Sequence, residues 1–297
     1  MARGPIRGFL AVLILAVAAC APSVGIEATT TGAPTTTTSA PAAATTSTPP
    51  TTSAPTATST GMTAVSEIDA EVTVPDGEGP FPAVVLVHGG GWVAGAPGIM
   101  DPLADFLNEN GYLTVNTRYT LATFDRPAFP DAVEDVACAV RHAASHPDGD
   151  GTVAVIGHSA GAHIGALVAL TGDDYPGDCP YPGSGLPDRF VGLAGPYDVS
   201  RLGIAIAAFF GGGPERVPDL WKAGNPLNFA GANPDLQALI MYGDLDGIVA
   251  DVFAVDFHET LIESGVDSVL EVVEGARHNE MHQPDLVGDL IVTWLGR

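Results

Sequence analysis

Five consecutive residues, Gly157-His158-Ser159-Ala160-Gly161, set one hydroxyl between two glycines, directly behind an apolar run at 152–156 and ahead of an Ala-rich stretch. A serine becomes a useful nucleophile when a sharp strand-to-helix turn lifts its hydroxyl clear, and a turn that sharp needs small neighbours. The helix N-terminus behind it favours developing negative charge. A second run, His88-Gly89-Gly90-Gly91-Trp92, closes another apolar segment at 83–87. Glycines there let backbone N–H groups come close to a substrate oxygen. A carbonyl attacked by serine becomes an oxyanion and needs donors already aimed at it. The two motifs together point to acyl transfer. His142 and His146 have the i, i+4 spacing of a metal pair, but no Glu stands between them as in H-E-x-x-H and no third ligand is evident. A surface helix carrying two histidines is the better account, so no metal and no cofactor is expected.

The elements that must position these residues alternate along the chain. Residues 68–74 alternate in hydropathy and read as an edge strand, and 83–87 is a continuous apolar run of the kind buried on both faces. Segments 112–116, 152–156, 190–194, 236–242 and 269–273 repeat that character. Helical periodicity marks 100–110, 131–144, 250–264 and 284–295 between and after them, with Pro130 placed to start the second. Strands alternating with helices predict an α/β fold with a mostly parallel sheet covered on both faces. Residues 198–225 are too many for a simple connection and include the apolar run 204–210. They read as a small cap or insertion, with an ordinary crossover helix and loop as the alternative.

Ahead of this region the composition changes. All 32 residues from Thr29 to Thr60 are Thr, Ala, Pro, Ser or Gly. Such a stretch cannot bury enough surface to offset the entropy of ordering, and reads as a disordered tether. Arg3 and Arg7 precede an apolar stretch at 8–19 and then Cys20, the layout of an export leader and not of a spanning helix. Val17-Ala18-Ala19-Cys20 resembles the bacterial lipobox, which implies cleavage before Cys20 and lipid on its thiol. The expected organisation is a signal peptide at 1–19, a tether at 20–66 and a catalytic domain at 67–297, exported and lipid-anchored to the outer face of a bacterial membrane. The chain carries 35 acidic against 11 Lys and Arg side chains, a formal charge of -24. That acidity repels phosphate and excludes a nucleic-acid partner.

His88–Trp92 followed by Gly157–Gly161 resembles the α/β-hydrolase superfamily, nearest the carboxylesterase and hormone-sensitive-lipase-like group with arylformamidase-like features. The resemblance covers residue 68 to the C-terminus. It implies a Ser–Asp–His triad in that chain order, with oxyanion donors on the backbone N–H groups of Gly90, Gly91 and Ala160. The hormone-sensitive-lipase type usually has Asp where this chain has His158. The elbow Gly-His-Ser-Ala-Gly-Ala-His and the Trp after the glycines look more like the formamidase and feruloyl-esterase-like branch.

On this pattern Ser159 is the nucleophile and His278, on the loop after the last strand, is the base. Three carboxylates compete for the acid on the loop after 236–242. Asp244 is placed to close its own turn, Asp251 to cap the next helix, and Asp246 lies between them in a D-x-x-V segment that resembles the acid-bearing loop of the family. Asp246 is the expected acid. His88 is expected to support the oxyanion loop, and Trp92 and His158 to stand at the substrate pocket, with packing as the alternative for each. With Cys20 lipidated, Cys138 and Cys179 remain as an even pair in an oxidising compartment, and the family layout implies that they meet as a disulfide. The function expected is hydrolysis of a small-molecule carboxylic ester. The same triad acting on a C–N bond, as in an arylformamidase, and a non-catalytic binding module on this scaffold are the alternatives.

Overall fold

The computed structural model describes residues 68–296. Cys20, the export leader and the tether expected ahead of the domain lie outside the described residues. In chain order the elements are β1 (Ala70–Thr73), β2 (Phe81–Val87), α1 (Asp101–Glu109), β3 (Leu113–Thr117), α2 (Asp131–Ala144), β4 (Gly149–His158), α3 (Ala160–Thr171), β5 (Arg189–Leu193), α4 (Ala207–Phe210), α5 (Pro218–Ala223), β6 (Gln237–Gly243), α6 (Val252–Glu263), β7 (Asp267–Val273) and α7 (Pro284–Leu295). The seven strands form one sheet in the order β1-β3-β2-β4-β5-β6-β7, parallel throughout except that β1 runs against β3. This is the mostly parallel α/β sheet that the alternating pattern predicts, and the α/β-hydrolase fold that the resemblance implies.

The continuous apolar runs follow from a core on each face. Ala83, Val85 and Val87 of β2 point into one cluster with Val153 and Val155 of β4, residues of α2 and α3, and Phe257 of α6. Val84 and Leu86 alternate into the other, with Ala154, Ile156, Leu103 and Leu107 of α1 and Ile291 of α7. The period of two is present, but both phases are buried, so the residue types do not alternate. Strand ends are set by pairing and not by hydropathy. β4 outruns the apolar segment 152–156 at both ends, because Gly149 pairs with Phe81 and His158 with Leu193.

Between β5 and β6 the chain forms short helical turns and no long crossover helix. Its apolar run divides: Ile204 is exposed, while Ile206, Phe209 and Phe210 join the core. Phe209 meets Trp92 and Phe129 with ring centroids 6.1 and 5.8 Å apart. The insertion is therefore packed into the domain through its aromatic residues. Cys138 of α2 and Cys179 of the loop after α3 form a disulfide, with Cα atoms 5.4 Å apart.

Candidate active site

The carboxyl ends of the parallel strands bring the expected residues together. Ser159 follows β4 with φ 54° and ψ -119°, a left-handed conformation that costs a non-glycine residue on the order of 1–3 kcal/mol. The surroundings enforce it. The Ser159 N–H donates to the Leu193 carbonyl at 2.8 Å, and its own carbonyl accepts from the N–H groups of Ala162 and His163. The flanking glycines answer to close approach. A Cβ on Gly157 would stand 2.3 Å from the Gly161 carbonyl oxygen, and one on Gly161 would stand 2.2 Å from that of Val87. Ala160 opens α3, so its N–H has no partner within the helix.

His278 comes from a one-turn helix after β7. Its Nδ1 lies 2.7 Å from Asp246 Oδ2 and its Nε2 lies 2.9 Å from Ser159 Oγ. A carboxylate accepts, so Nδ1 carries the proton and Nε2 is left to accept from the serine hydroxyl. The two side chains are buried, 6% exposed for His278 and 2% for Asp246. Asp246 Oδ1 accepts from the backbone N–H groups of Ile248 and Val249 at 2.8 and 2.9 Å. Burial alone would raise its pKa. The bond to His278, the charge of that ring and the two backbone donors outweigh burial and hold the carboxyl below its ordinary value.

The other two carboxylates of the loop have different partners. Asp251 caps α6 by accepting from the Val252 N–H. Asp244 does not close its own turn as expected. Its Oδ1 accepts from the Gly275 N–H at 2.6 Å, tying the loop after β6 to the turn after β7.

The glycine loop lies against the elbow. Gly90 and Gly91 take φ 132° and 60°, and a Cβ on Gly90 would overlap the Ala94 carbonyl at 1.9 Å. His88 supports this loop: its Nδ1 donates to the Gly89 carbonyl, and its ring stacks on Tyr119 at 4.4 Å. Burial, then the charge of Arg118, lowers the pKa of His88 against the opposing Gly89 bond. The Tyr119 hydroxyl donates to the His88 carbonyl at 3.0 Å. Sequence reading missed Tyr119, a single tyrosine after β3 with no motif around it.

Trp92 and His158, expected at the substrate pocket, are both interior. Trp92 is 6% exposed, and its indole N–H donates to His163 Nδ1 at 3.1 Å. His158 is 4% exposed, with its ring against those of His278 and His282. His158 ends β4 and Trp92 lies on the loop after β2, and other rings pack against both: those of His163 and Phe209 on Trp92, and those of His278 and His282 on His158. His142 and His146 meet edge to face 5.7 Å apart. Among the described residues no group of three or more His, Cys, Asp or Glu is placed to hold a metal ion. Two concavities, of about 720 Å³ at the amino ends of the strands and about 570 Å³ beside α2, are lined by none of Ser159, Asp246 and His278.

This arrangement can take a proton from a serine hydroxyl and return it to a leaving group. The family model described as BD-FAE matches residues 71–261, which include Ser159 and Asp246. The chain is 29% identical over 198 residues to esterase LipC of Mycobacterium tuberculosis, covering 61% of this chain and 48% of that protein. It is 33% identical over 117 residues to esterase EstD of Thermotoga maritima, covering 35% and 28%. The chain thus spans about half or less of the length of these curated relatives. The acetyl ester-xyloside bifunctional hydrolase from Caldicellulosiruptor lactoaceticus superposes with a TM-score of 0.66 at 20% identity, covering 76% of this chain and 87% of that one, a likeness of fold.

Proposed function

The chain belongs to the BD-FAE family, and on that footing we propose that it is a carboxylic-ester hydrolase acting through Ser159, His278 and Asp246. The observation that carries this reading is the unbroken hydrogen-bond chain from Asp246 through His278 to Ser159 Oγ. Both named relatives are esterases. His278 Nε2 takes the hydroxyl proton as Ser159 Oγ attacks the ester carbonyl. The carbonyl oxygen gains the negative charge and is met by the N–H groups of Gly90, Gly91 and Ala160. The C–O bond to the alcohol breaks, and His278 returns the proton to the departing oxygen. Water then attacks the acyl-serine with its proton passing to His278, and Ser159 is regenerated as the acid leaves. Asp246 holds the Nδ1–H tautomer throughout.

The leader at 1–19, the Cys20 lipid site and the tether at 20–66 complete the reading: an exported enzyme anchored outside the membrane and acting on a small-molecule ester. Mass spectrometry of native protein should find diacylglycerol on Cys20, and an unmodified Cys20 in the mature chain would exclude the anchor. The activity is tested with p-nitrophenyl esters of increasing acyl length beside N-formylkynurenine. Ester turnover that disappears in Ser159→Ala, with fluorophosphonate labelling confined to Ser159, is the expected result. Turnover of the formamide alone would move the protein to the arylformamidase reading.

A further inference from the structure

The base and the nucleophile come from strands that do not touch. In the sheet order β4-β5-β6-β7, two strands separate the one ending at Ser159 from the one preceding His278. At about 4.8 Å per strand, the ladder alone leaves roughly 14 Å between the two loops to be bridged. His158 spans part of that gap. Its Nε2 lies 2.9 Å from the backbone carbonyl oxygen of His278. A carbonyl only accepts, so Nε2 carries the proton and Nδ1 is the bare nitrogen. Nδ1 is buried without a hydrogen-bond partner. It faces the glycine loop: a Cβ on Gly89 would stand 2.8 Å from it and 3.2 Å from Ser159 Cβ. The ring packs between His278 and His282, with centroids 5.0 and 4.9 Å away. One side chain therefore touches the glycine loop after β2, the elbow and the loop that carries the base.

We infer that His158 is a positioning residue, whose Nε2–H holds the His278 backbone so that the base stays within hydrogen-bond reach of Ser159 Oγ. This rests on the reading of Ser159 and His278 as nucleophile and base. Burial pushes the pKa of His158 down to about 3, with the rings of His278 and His282 adding to the effect; the bond to the His278 carbonyl and the Asp246 carboxylate oppose it. The ring is consequently neutral, with a single proton committed to the carbonyl. A protonated ring would place a cation beside His278 at the step in which that residue itself becomes charged. A bare carboxylate at this position has no proton to donate to the carbonyl.

Three substitutions separate positioning from mere filling. Glutamine at 158 carries an amide N–H to about the place of Nε2, asparagine stops short of it, and phenylalanine keeps a ring without the donor. With p-nitrophenyl acetate, kcat of His158→Phe and His158→Asn should fall about 10- to 100-fold with KM within about threefold, as displacement of a reacting group by about an ångström does. His158→Gln should keep kcat within about fivefold of the parent. Phenylalanine at the parent rate, or glutamine falling as far as asparagine, would overturn the inference. Should His158→Phe fail to fold, the Asn–Gln comparison decides by itself. Ser159→Ala is measured alongside. If it still turns over the ester, the nucleophile reading fails and takes this inference with it. If it is inactive while His158→Asn is unaffected, only the role of His158 is lost.

Discussion

Acid should destabilise this protein in part through His163, and the size of that part follows from its bonds. His163 lies on α3, is fully buried, and uses both ring nitrogens. Trp92 Nε1 donates to Nδ1 at 3.1 Å, and Nε2 donates to the Gly224 carbonyl at 2.8 Å. An indole nitrogen only donates and a carbonyl only accepts, so the neutral Nε2–H tautomer is the one that fits. A second proton would set N–H against N–H inside an aromatic cluster. Burial pushes the pKa down to about 4, with the Gly224 bond acting in the opposite direction. The folded value lies below the ordinary 6.5, so between pH 6.5 and 4 the unfolded chain binds more protons. Stability from this residue is complete above pH 6.5 and declines as the pH falls towards 4. At pH 5 the loss is about 2 kcal/mol, a large share of a typical folding free energy. Urea unfolding at pH 7 and pH 5, on the parent and on His163→Gln, isolates it, since every other titrating group contributes to both proteins. The variant should be less stable at pH 7, and the gap should narrow by about 2 kcal/mol at pH 5. A gap unchanged to within about 0.5 kcal/mol would show that His163 does not titrate in this window, and the hydrogen-bond reasoning would be wrong.

Asp246→Asn should lower kcat on a p-nitrophenyl ester by about 10²–10⁴-fold through loss of the Nδ1–H tautomer. Asp244→Asn should retain kcat within a few-fold and instead lower the urea midpoint, because it weakens the bond to Gly275. Gly161→Ala puts a Cβ within 2.2 Å of the Val87 carbonyl oxygen and 2.5 Å of that of His88. Its thermal midpoint should drop steeply or soluble protein be lost, and a midpoint within a degree or two of the parent would contradict the close approach. Cys138 and Cys179 are separated by 41 positions, and a loop of that size constrains the unfolded chain by about 4 kcal/mol in the chain-entropy treatment. Replacing both with Ala should cost a comparable amount in denaturant, and thiol titration of the denatured, unreduced protein should find neither thiol free.

The elbow can be read from the chain because its requirements are local. A buried strand, a glycine at 157, a glycine at 161 and a small-residue helix all lie within about twenty residues of Ser159, and each is a steric demand of that one turn. The glycines after β2 are legible for the same reason, and the alternation of strand and helix follows from hydropathy that each segment carries by itself. The oxidising compartment suggested by the leader left two cysteines to pair, and the structure joins them.

Long-range contacts decided the rest. Local turn chemistry gave Asp244 and Asp251 other work and the resemblance to the acid-bearing loop of the family favoured Asp246, but the distance from Asp246 to His278 depends on how β6 and β7 align, and the two residues are 32 positions apart. Asp244 shows the limit of local reading: it was expected to serve its own turn, yet its partner is Gly275, 31 positions away. Trp92, at the end of the glycine run, and His158, next to Ser159, read as pocket residues from their place beside the motifs. What lies over a strand end is set by other segments. His163, 71 positions from Trp92, and the His278 carbonyl, 120 positions from His158, take up their polar groups and draw both rings inside. The amino-acid sequence determined which residues had the chemistry and the local geometry to act. The packing of β7 and its loop against the elbow decided which of them touch, because a hydrogen bond is made only when distant backbones are brought to within about 3 Å.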